Sequence, residues 1–382
     1  MKGPMVTQTL QDIIGHEPLH WRGDRAGIEA FAGAFVSLLA LPEAPDAQAM
    51  QDLKDFLATL RFEPNPLREI DNSLPASLDH GLLSVGRFSP AGTPLPVGDP
   101  QRGLELYLPP NLTSVAFSCA ACHTLPTGMS SDRTWEEDGD GGGRWALTER
   151  GPNGEFHHWI TGRDPVAAPG FKTSQLRSIR DKQGFDTLNN RSMAGFGLLH
   201  DGTVSGIVRF ISSGPFQLAD DQELSDLVAF MLCFTGSDLP EPPTDTDFLY
   251  PPGEPSLDTP AAVGRRSALG TTLDLGLESL ELSELLALAD GSELGIVVHG
   301  RVADEPRGFA YLELGTWQPD RAAESLDTDE LLTILADDPG ATLTVVPGIS
   351  LFRLSVDRDG DGALDGDERD AGSDPADPLS LP

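Results

Sequence analysis

The chain has 382 residues, 60 of them acidic and 26 basic, for a net charge of −34 at pH 7. That sign excludes nucleic acid as a natural partner, and three cysteines are too few for a disulfide framework. No run of about 18 apolar residues occurs, so no segment is expected to span a membrane, and the length allows two or three domains.

The start, Met1-Lys2-Gly3-Pro4-Met5-Val6-Thr7, has no apolar stretch and no small-residue cleavage site, so it does not read as an export signal. Thr7-Gln8-Thr9-Leu10 leads to Leu19-His20-Trp21-Arg22-Gly23-Asp24, and Ile28, Phe31 and Phe35 then fall on a helix. Met50 to Leu60 carries a second amphipathic helix, and Arg61 to Arg68, with Pro64 and Pro66, reads as a linker. A further helix is expected from Gly98. Asp99 reads as its N-cap, Pro100 follows in the first turn, and Leu104, Leu106, Tyr107 and Leu108 supply apolar surface.

Cys119-Ala120-Ala121-Cys122-His123 comes next. Two thiols three residues apart on one turn of chain can each add to a haem vinyl group, and the histidine that follows is placed to ligate the iron. A CxxC redox motif would not need His123, and no βαβ pattern surrounds it. A structural zinc site would want a second Cys/His pair at matching spacing, whereas the remaining cysteine is Cys233. Cys119 and Cys122 are therefore expected to carry one covalent haem c, with His123 on its iron. Asp138-Gly139-Asp140-Gly141-Gly142-Gly143 lacks a closing acid and reads as a flexible loop. Asp220 to Phe234 sets Leu224, Leu227, Val228, Met231 and Phe234 in the rhythm of an amphipathic helix, with Cys233 as core. Helix, haem turn, ligand loop and closing helix over residues 98–236 resemble a class I cytochrome c.

An internal repeat runs through this region. Phe171-Lys172-Thr173-Ser174-Gln175-Leu176-Arg177 precedes Gly197-Leu198-Leu199-His200-Asp201-Gly202 and then a short apolar helix, Val204 to Ile211, in the same order as Thr7 to Phe35. The pattern resembles the bacterial di-haem cytochrome c peroxidase superfamily, in which a Lys-Thr-Leu-Arg segment leads to a His-Asp-Gly turn within a haem domain. Lys172 to Gly202 matches well; Trp21-Arg22-Gly23-Asp24 is a looser match. The resemblance implies a mainly α fold. Residues 1–97 would be a partial or degenerate first cytochrome c-like domain and 98–236 the haem-binding one. It further implies a truncated start, with a first haem site and an export signal upstream of Met1. Haem attachment of this kind takes place outside the cytoplasm, so a periplasmic, cell-surface or secreted location is expected.

An electron-transfer haem usually has a second axial ligand, and methionine raises its potential. Met129 follows His123 by about 20 Å of extended chain, barely enough to pass the porphyrin edge. Met231 lies on the apolar stripe of the closing helix. Met193, in the glycine-flanked stretch Arg191 to Gly197, is the expected distal ligand, with His200 as the alternative. In the resembled family the methionine comes from the helix after the His-Asp-Gly turn, and Val204 to Ser213 has none. His157 and His158, beside Trp159, are placed to edge a haem crevice.

Residues 237–262 are rich in proline and acid and read as a linker. Residues 263–355 are expected to form a small β-rich (α+β) domain of unknown role. Its strands are read at Leu294–His299 and Ala341–Val346, its helices at Leu280–Leu288 and Asp327–Leu335. Residues 356–382 form an acidic loop and tail. Within it, Asp357, Asp359 and Asp361, the Ala363 carbonyl, Asp365 and Glu368 fit positions 1, 3, 5, 7, 9 and 12 of a calcium loop, with Gly362 at position 6. Helices flanking that loop are not evident, and the run through Asp377-Pro378 resembles thrombospondin type 3 calcium repeats. Taken together, the expected protein is a c-type cytochrome with haem c and Ca2+ that exchanges electrons with a redox protein partner and has no catalytic side chain of its own. Two alternatives stand beside it: part of a di-haem peroxidase-like oxidoreductase, and a surface-binding module with an accessory haem.

Overall fold

The computed structural model describes residues 5–108, 118–147, 160–161, 171–183, 195–237, 239, 250–269, 279–291 and 294–382. They fall into two compact units, one of Met1–Arg68 with Ser73–Asp258 and the other of Glu69–Asn72 with Thr259–Pro382. In chain order the first unit contains α1 (Ala32–Ser37), α2 (Ala47–Leu57), α3 (Pro100–Tyr107) and α4 (Cys119–Cys122). The hairpin β1 (Arg133–Glu137) and β2 (Gly143–Leu147) follows, then the short pair β3 (Ile160–Thr161) and β4 (Phe171–Lys172), α5 (Ile179–Lys182), α6 (Ile207–Ile211) and α7 (Asp221–Leu232).

The longer helices start where an aspartate can cap them. Asp46, Asp99 and Asp220 each accept backbone N–H groups of the first turn of α2, α3 and α7, and Pro100 fits a position with no N–H to satisfy. The periodicity of α7 predicts one apolar face, yet every residue from Leu224 to Leu232 is buried. Its polar members are paired: Ser225 Oγ donates to Pro96 O, and Asp226 Oδ1 accepts from Asp99 N at 2.9 Å and Gln222 Nε2 at 2.8 Å. Burial of Leu224, Leu227, Val228 and Phe230 stabilises this helix by about 1.5–3 kcal/mol each. It crosses α3 at close range. A Cβ at Gly103 would fall on the Asp226 carbonyl oxygen and lie 2.6 Å from Phe230 Cβ.

The expectation of a mainly α fold is corrected here. Helix makes up 28% of the structure and strand 19%, with a six-stranded antiparallel sheet among the strands. The 41 glycines and 32 prolines punctuate the chain, so helices of the first unit stop after four to twelve residues. Between them run irregular segments closed by isolated bridges, such as Leu78 with Gly98 and Leu83 with Pro94. Asp138–Gly142, expected as part of a flexible loop, turns the β1–β2 hairpin. Asp138 Oδ1 accepts from Asp140 N at 2.9 Å and Gly142 N at 3.0 Å, and Trp135 pairs with Trp145 across the strands. Residues 250–258 pack within the first unit rather than only linking: Pro252 O accepts from Ser131 Oγ, and Ser256 Oγ from Arg177.

The two repeat copies share a backbone shape. Leu19 bridges Arg25 as Leu198 bridges Val204. His20 and Leu199 have φ of 68° and 67°, and Gly23 and Gly202 have φ of 59° and 70°. Extended Gly27 and Gly206 then precede the helical turns that bury Ile28 and Ile207. On this alignment Trp21, not His20, stands where His200 stands. The copies also exchange contacts: Val6 N donates to His200 O at 2.9 Å, and Lys172 N donates to Trp21 O at 2.8 Å.

The second unit holds β5 (Arg266–Leu269), α8 (Ser279–Gly291), β6 (Leu294–Val302), β7 (Glu305–Glu313), β8 (Thr316–Pro319) and β9 (Leu326–Asp327). After these come α9 (Thr328–Ile334), β10 (Ala341–Pro347), α10 (Leu351–Ser355) and α11 (Asp365–Ala371). The sheet order is β5-β10-β6-β7-β8-β9, with each pair antiparallel. Ile296, Val298, Phe309, Trp317 and Leu343 form its core with Leu285 of α8 and Leu331 of α9.

The α3–α7 crossing gives a prediction with a definite sign. Helix propensity alone favours Ala over Gly by about 1 kcal/mol, whereas overpacking costs about 1–3 kcal/mol. Gly103→Ala is expected to destabilise the protein in urea denaturation; a stabilised variant would reject the close crossing.

Candidate functional site

The four-residue α4 is started by Ser118, whose Oγ accepts from Ala121 N at 3.0 Å, and the backbone leaves the helix at His123. One turn thus carries Cys119, packed on the core, and Cys122, exposed at the surface. Tyr107, fully buried against Phe230 and Phe234, donates its hydroxyl to His123 O, which ties the turn to α3 and α7. His123 Nδ1 lies 2.7 Å from Gly128 O and 3.0 Å from Ser174 O. Both partners are acceptors, so Nδ1 carries the proton and Nε2 presents its lone pair. Among the described residues Nε2 has no hydrogen-bond partner. Burial, with Lys182 nearby, pulls the imidazole below its ordinary pKa despite the two carbonyls, which keeps it neutral and able to ligate.

Neither thiol forms a disulfide. Burial pushes Cys119 up to about 12, with Cys122 adding to the effect, and burial raises Cys122 as well. A dithiol redox centre needs a lowered thiol pKa, so the arrangement argues against one. Cys233 is buried, with its Sγ 3.3 Å from Leu67 O, as a core residue.

Beside His123 opens a cavity of about 350 Å3 whose wall includes His123, Met129, Leu198, Ile207, Phe210 and Met231. Neither cysteine lines it. The donor set fits a c-type haem: two thiols on one turn, a histidine whose Nδ1 is held by carbonyls while Nε2 is presented, and apolar space alongside. Met193 lies outside the described residues, as do His157 and His158. His200 is not in the cavity wall. Its ring stacks on Phe171 at 4.3 Å and meets Trp21 edge-on at 6.4 Å. Met129, too near His123 in sequence to reach round a porphyrin, is part of the cavity wall, and its sulfur lies 3.9 Å from Arg177 Nη2. It belongs, however, to the Thr124–Met129 turn that folds against the Nδ1 side of His123.

The sequence did not single out the charge in this wall. Asp12, Arg177, Lys172 and Lys182 all line the cavity. Asp12 Oδ2 accepts from Arg177 Nη1, from Leu257 N at 3.1 Å, and lies 3.2 Å from His16 Nε2. Burial would raise this carboxyl, but His16 and Arg177 outweigh it and hold Asp12 below its ordinary value. The Arg177 guanidinium lies 4.1 Å over the Phe62 ring. Burial draws Lys172 and Lys182 down to about 7 each. Lys172 and Arg177 sit in the repeat segment; nothing in the sequence around Lys182 marks it as buried.

A second site lies in the other unit. Carboxylate oxygens of Asp357, Asp359 and Asp361 lie within 4.8 Å of one another. Gly360 N and Gly362 N donate to Asp357, and Ala363 N donates to Asp361 at 2.8 Å, which folds the loop around this group. Glu368 is fully buried, and neither of its carboxylate oxygens has a hydrogen-bond partner; Asp359 Oδ2 and Asp361 Oδ2 are likewise unpartnered. Burial and the neighbouring Asp359, Asp361, Asp365 and Asp357 push Glu368 above its ordinary pKa. The expectation of no flanking helices is revised, because α10 ends just before Asp357 and α11 starts at Asp365. They are short, and Gly372 in the left-handed region ends α11 ahead of Pro375.

In comparisons with known proteins, no family model, curated protein or solved structure matches the chain.

The Asp12–Arg177 pair yields a stability prediction. Removing one partner of a buried ion pair typically costs about 3–5 kcal/mol, whereas replacing both with apolar residues costs far less. Asp12→Ala is expected to show the first effect in urea denaturation and Asp12→Leu with Arg177→Met the second. Because Asp12 is depressed, its contribution is present above the ordinary carboxylate range and is lost as pH falls through its lowered value. Equal stability of wild type and Asp12→Ala at pH 7 would contradict the buried pair.

Proposed function

We propose that this chain is a c-type cytochrome that exchanges single electrons with a protein partner outside the cytoplasm. The observation that carries this reading is His123: its Nδ1 is held by two backbone carbonyls, its Nε2 is presented, and two thiols free of any disulfide precede it on the same turn. Haem c, when bound, supplies one-electron exchange at its iron. Cys119 and Cys122 would hold the group through two thioether bonds, and His123 would ligate its iron. Met193 would supply the second ligand, and the apolar wall of Leu198, Ile207 and Phe210 would exclude water from the cavity. The acidic surface, with a net charge of −34, favours a basic partner.

The shared backbone shape of the two repeats favours a second reading, a portion of a di-haem peroxidase-like oxidoreductase. Peroxide-dependent oxidation of a reduced donor by the haem-loaded chain would select it over simple electron transfer.

The test of the haem reading is covalent attachment. Chain matured with c-type assembly machinery is expected to keep its haem stain through denaturing electrophoresis, and Cys119→Ala with Cys122→Ala to lose it. Full stain in that double variant would reject the site.

The second unit's loop is proposed to hold one Ca2+. Asp357, Asp359, Asp361, the Ala363 carbonyl, Asp365 and both oxygens of Glu368 supply the hard oxygen set that calcium takes. Glu368 carries this claim, since a buried carboxylate without a partner is costly unless a cation meets it. Calorimetric titration of the full chain is expected to show one calcium site, weakened at least about tenfold by Glu368→Gln. No heat at millimolar calcium, or equal binding by the variant, would return this segment to a solvated tail.

A further inference from the structure

Glu368 is a calcium ligand that the loop cannot place by itself. Backbone N–H groups of the loop draw Asp357, Asp359 and Asp361 together, whereas Glu368 stands beyond them on α11. Its side chain is fully buried, and neither carboxylate oxygen has a hydrogen-bond partner. Such a group, close to other acids, gains by swinging out to water, so something has to hold it in. A helix of seven residues does not hold itself.

The rest of α11 is tied to the sheet. Gly366 N donates to Asp320 O at 2.7 Å, and a Cβ at Gly366 would fall 2.5 Å from that oxygen. Asp367 Oδ2 accepts from Ala322 N at 2.8 Å, and Asp370 Oδ2 accepts from Arg321 Nε at 2.7 Å. Arg369 donates to Pro306 O at 3.3 Å and to one oxygen of Asp320, whose other oxygen takes Arg307 of β7. Asp320 is only 1% exposed, so salt screens this set weakly. The residues on either side of Glu368 are thus fastened to β7 and to the segment after β8.

We propose that Arg369 and Asp320 form a clamp that positions Glu368 for the ion, and that calcium, through the same contacts, stabilises the β7–β8 part of the sheet. The inference rests on the calcium reading and adds to it how the ion is coupled to the fold. An ion that binds with α11 docked favours the docked state, and by reciprocity a docked α11 raises the affinity for the ion. Both are positioning residues, acting on calcium through Glu368. The sign of the charge separates this clamp from general electrostatics. Arg369 and Arg358 are both cations beside a cation site, and removing either lessens repulsion of the ion. Arg358 is 60% exposed and lies 3.4 Å from Asp365, so it competes with calcium for a ligand.

The experiment is calorimetric titration of the full chain with calcium chloride, wild type against Arg369→Met and Arg358→Met. Each variant loses one positive charge, yet opposite outcomes are expected. Arg369→Met should raise Kd about tenfold, whereas Arg358→Met should leave it unchanged or lower it. Asp320 keeps Arg307 as its partner in the Arg369→Met chain, so no buried charge is stranded. Hydrogen exchange of the wild type, with and without calcium, needs no variant to fold. Calcium is expected to slow exchange across residues 305–322 as well as 357–371. Binding by Arg369→Met as tight as wild type, or tighter, would overturn the clamp. So would an equal loss of affinity in Arg358→Met, or calcium protection confined to residues 357–371 in the wild type. No calcium binding by the wild type would instead overturn the calcium reading itself.

Discussion

The first unit depends on the absence of a side chain at Gly103. Without a Cβ there, α3 lies directly on the Asp226 backbone and the Phe230 side chain of α7. That contact places Tyr107 between Phe230 and Phe234, and the Tyr107 hydroxyl then reaches His123 O. The Cys119–Cys122 helix is far too short to hold itself, since nucleating a helical turn is unfavourable in isolation. Its position is borrowed from the α3–α7 pair. Chemistry at His123 is therefore set by packing that begins about twenty residues earlier in the chain.

A second constraint is electrostatic. Asp12, Arg177, Ser256 and the Leu257 amide come from three separate stretches of sequence and satisfy one another in the interior. Such an ion pair adds little net stability compared with apolar residues of the same volume, but one partner without the other is strongly penalised. It therefore rewards a single arrangement of the segments and penalises others. The repeat copies reinforce this through backbone bonds, from Val6 to His200 and from Lys172 to Trp21. Together they close the cavity beside His123 with residues from the beginning of the chain.

The legible parts of the sequence were those whose chemistry fixes their spacing. Cys119, Cys122 and His123 stand out in sequence because their spacing sets them on one short turn, and the acidic loop because alternate carboxylates recur in it; the structure brings each set together. Caps were equally plain at Asp99 and Asp220. Fold class was not legible. Apolar periodicity marks helices wherever they occur but says nothing of the glycine- and proline-rich stretches between them. A mainly α expectation followed where irregular chain and hairpins hold much of the first unit. Asp138–Gly142 read as a loop because its cross-strand partners, Trp135 and Trp145, become a pair only once the register is known. Lys182 was invisible for a similar reason: Ser178-Ile179-Arg180-Asp181-Lys182 looks like solvated helix, and only tertiary packing buries its ammonium.

The acidic loop and the cavity wall handle buried charge differently, and the sign of the whole molecule makes this informative. With a net charge of −34, the general field favours cations and opposes anions. The loop, with partnerless carboxylate oxygens at Asp359, Asp361 and Glu368, works with that field. The cavity wall mixes both signs: Asp12 and Asp181 stand with Arg177, Lys172 and Lys182, and burial draws both lysines down to about 7. Surface charges more than about 8–10 Å away are largely screened at physiological salt, whereas buried ones are not. The electrostatics of the cavity are therefore set by these few neighbours and not by the far larger number of exposed acids.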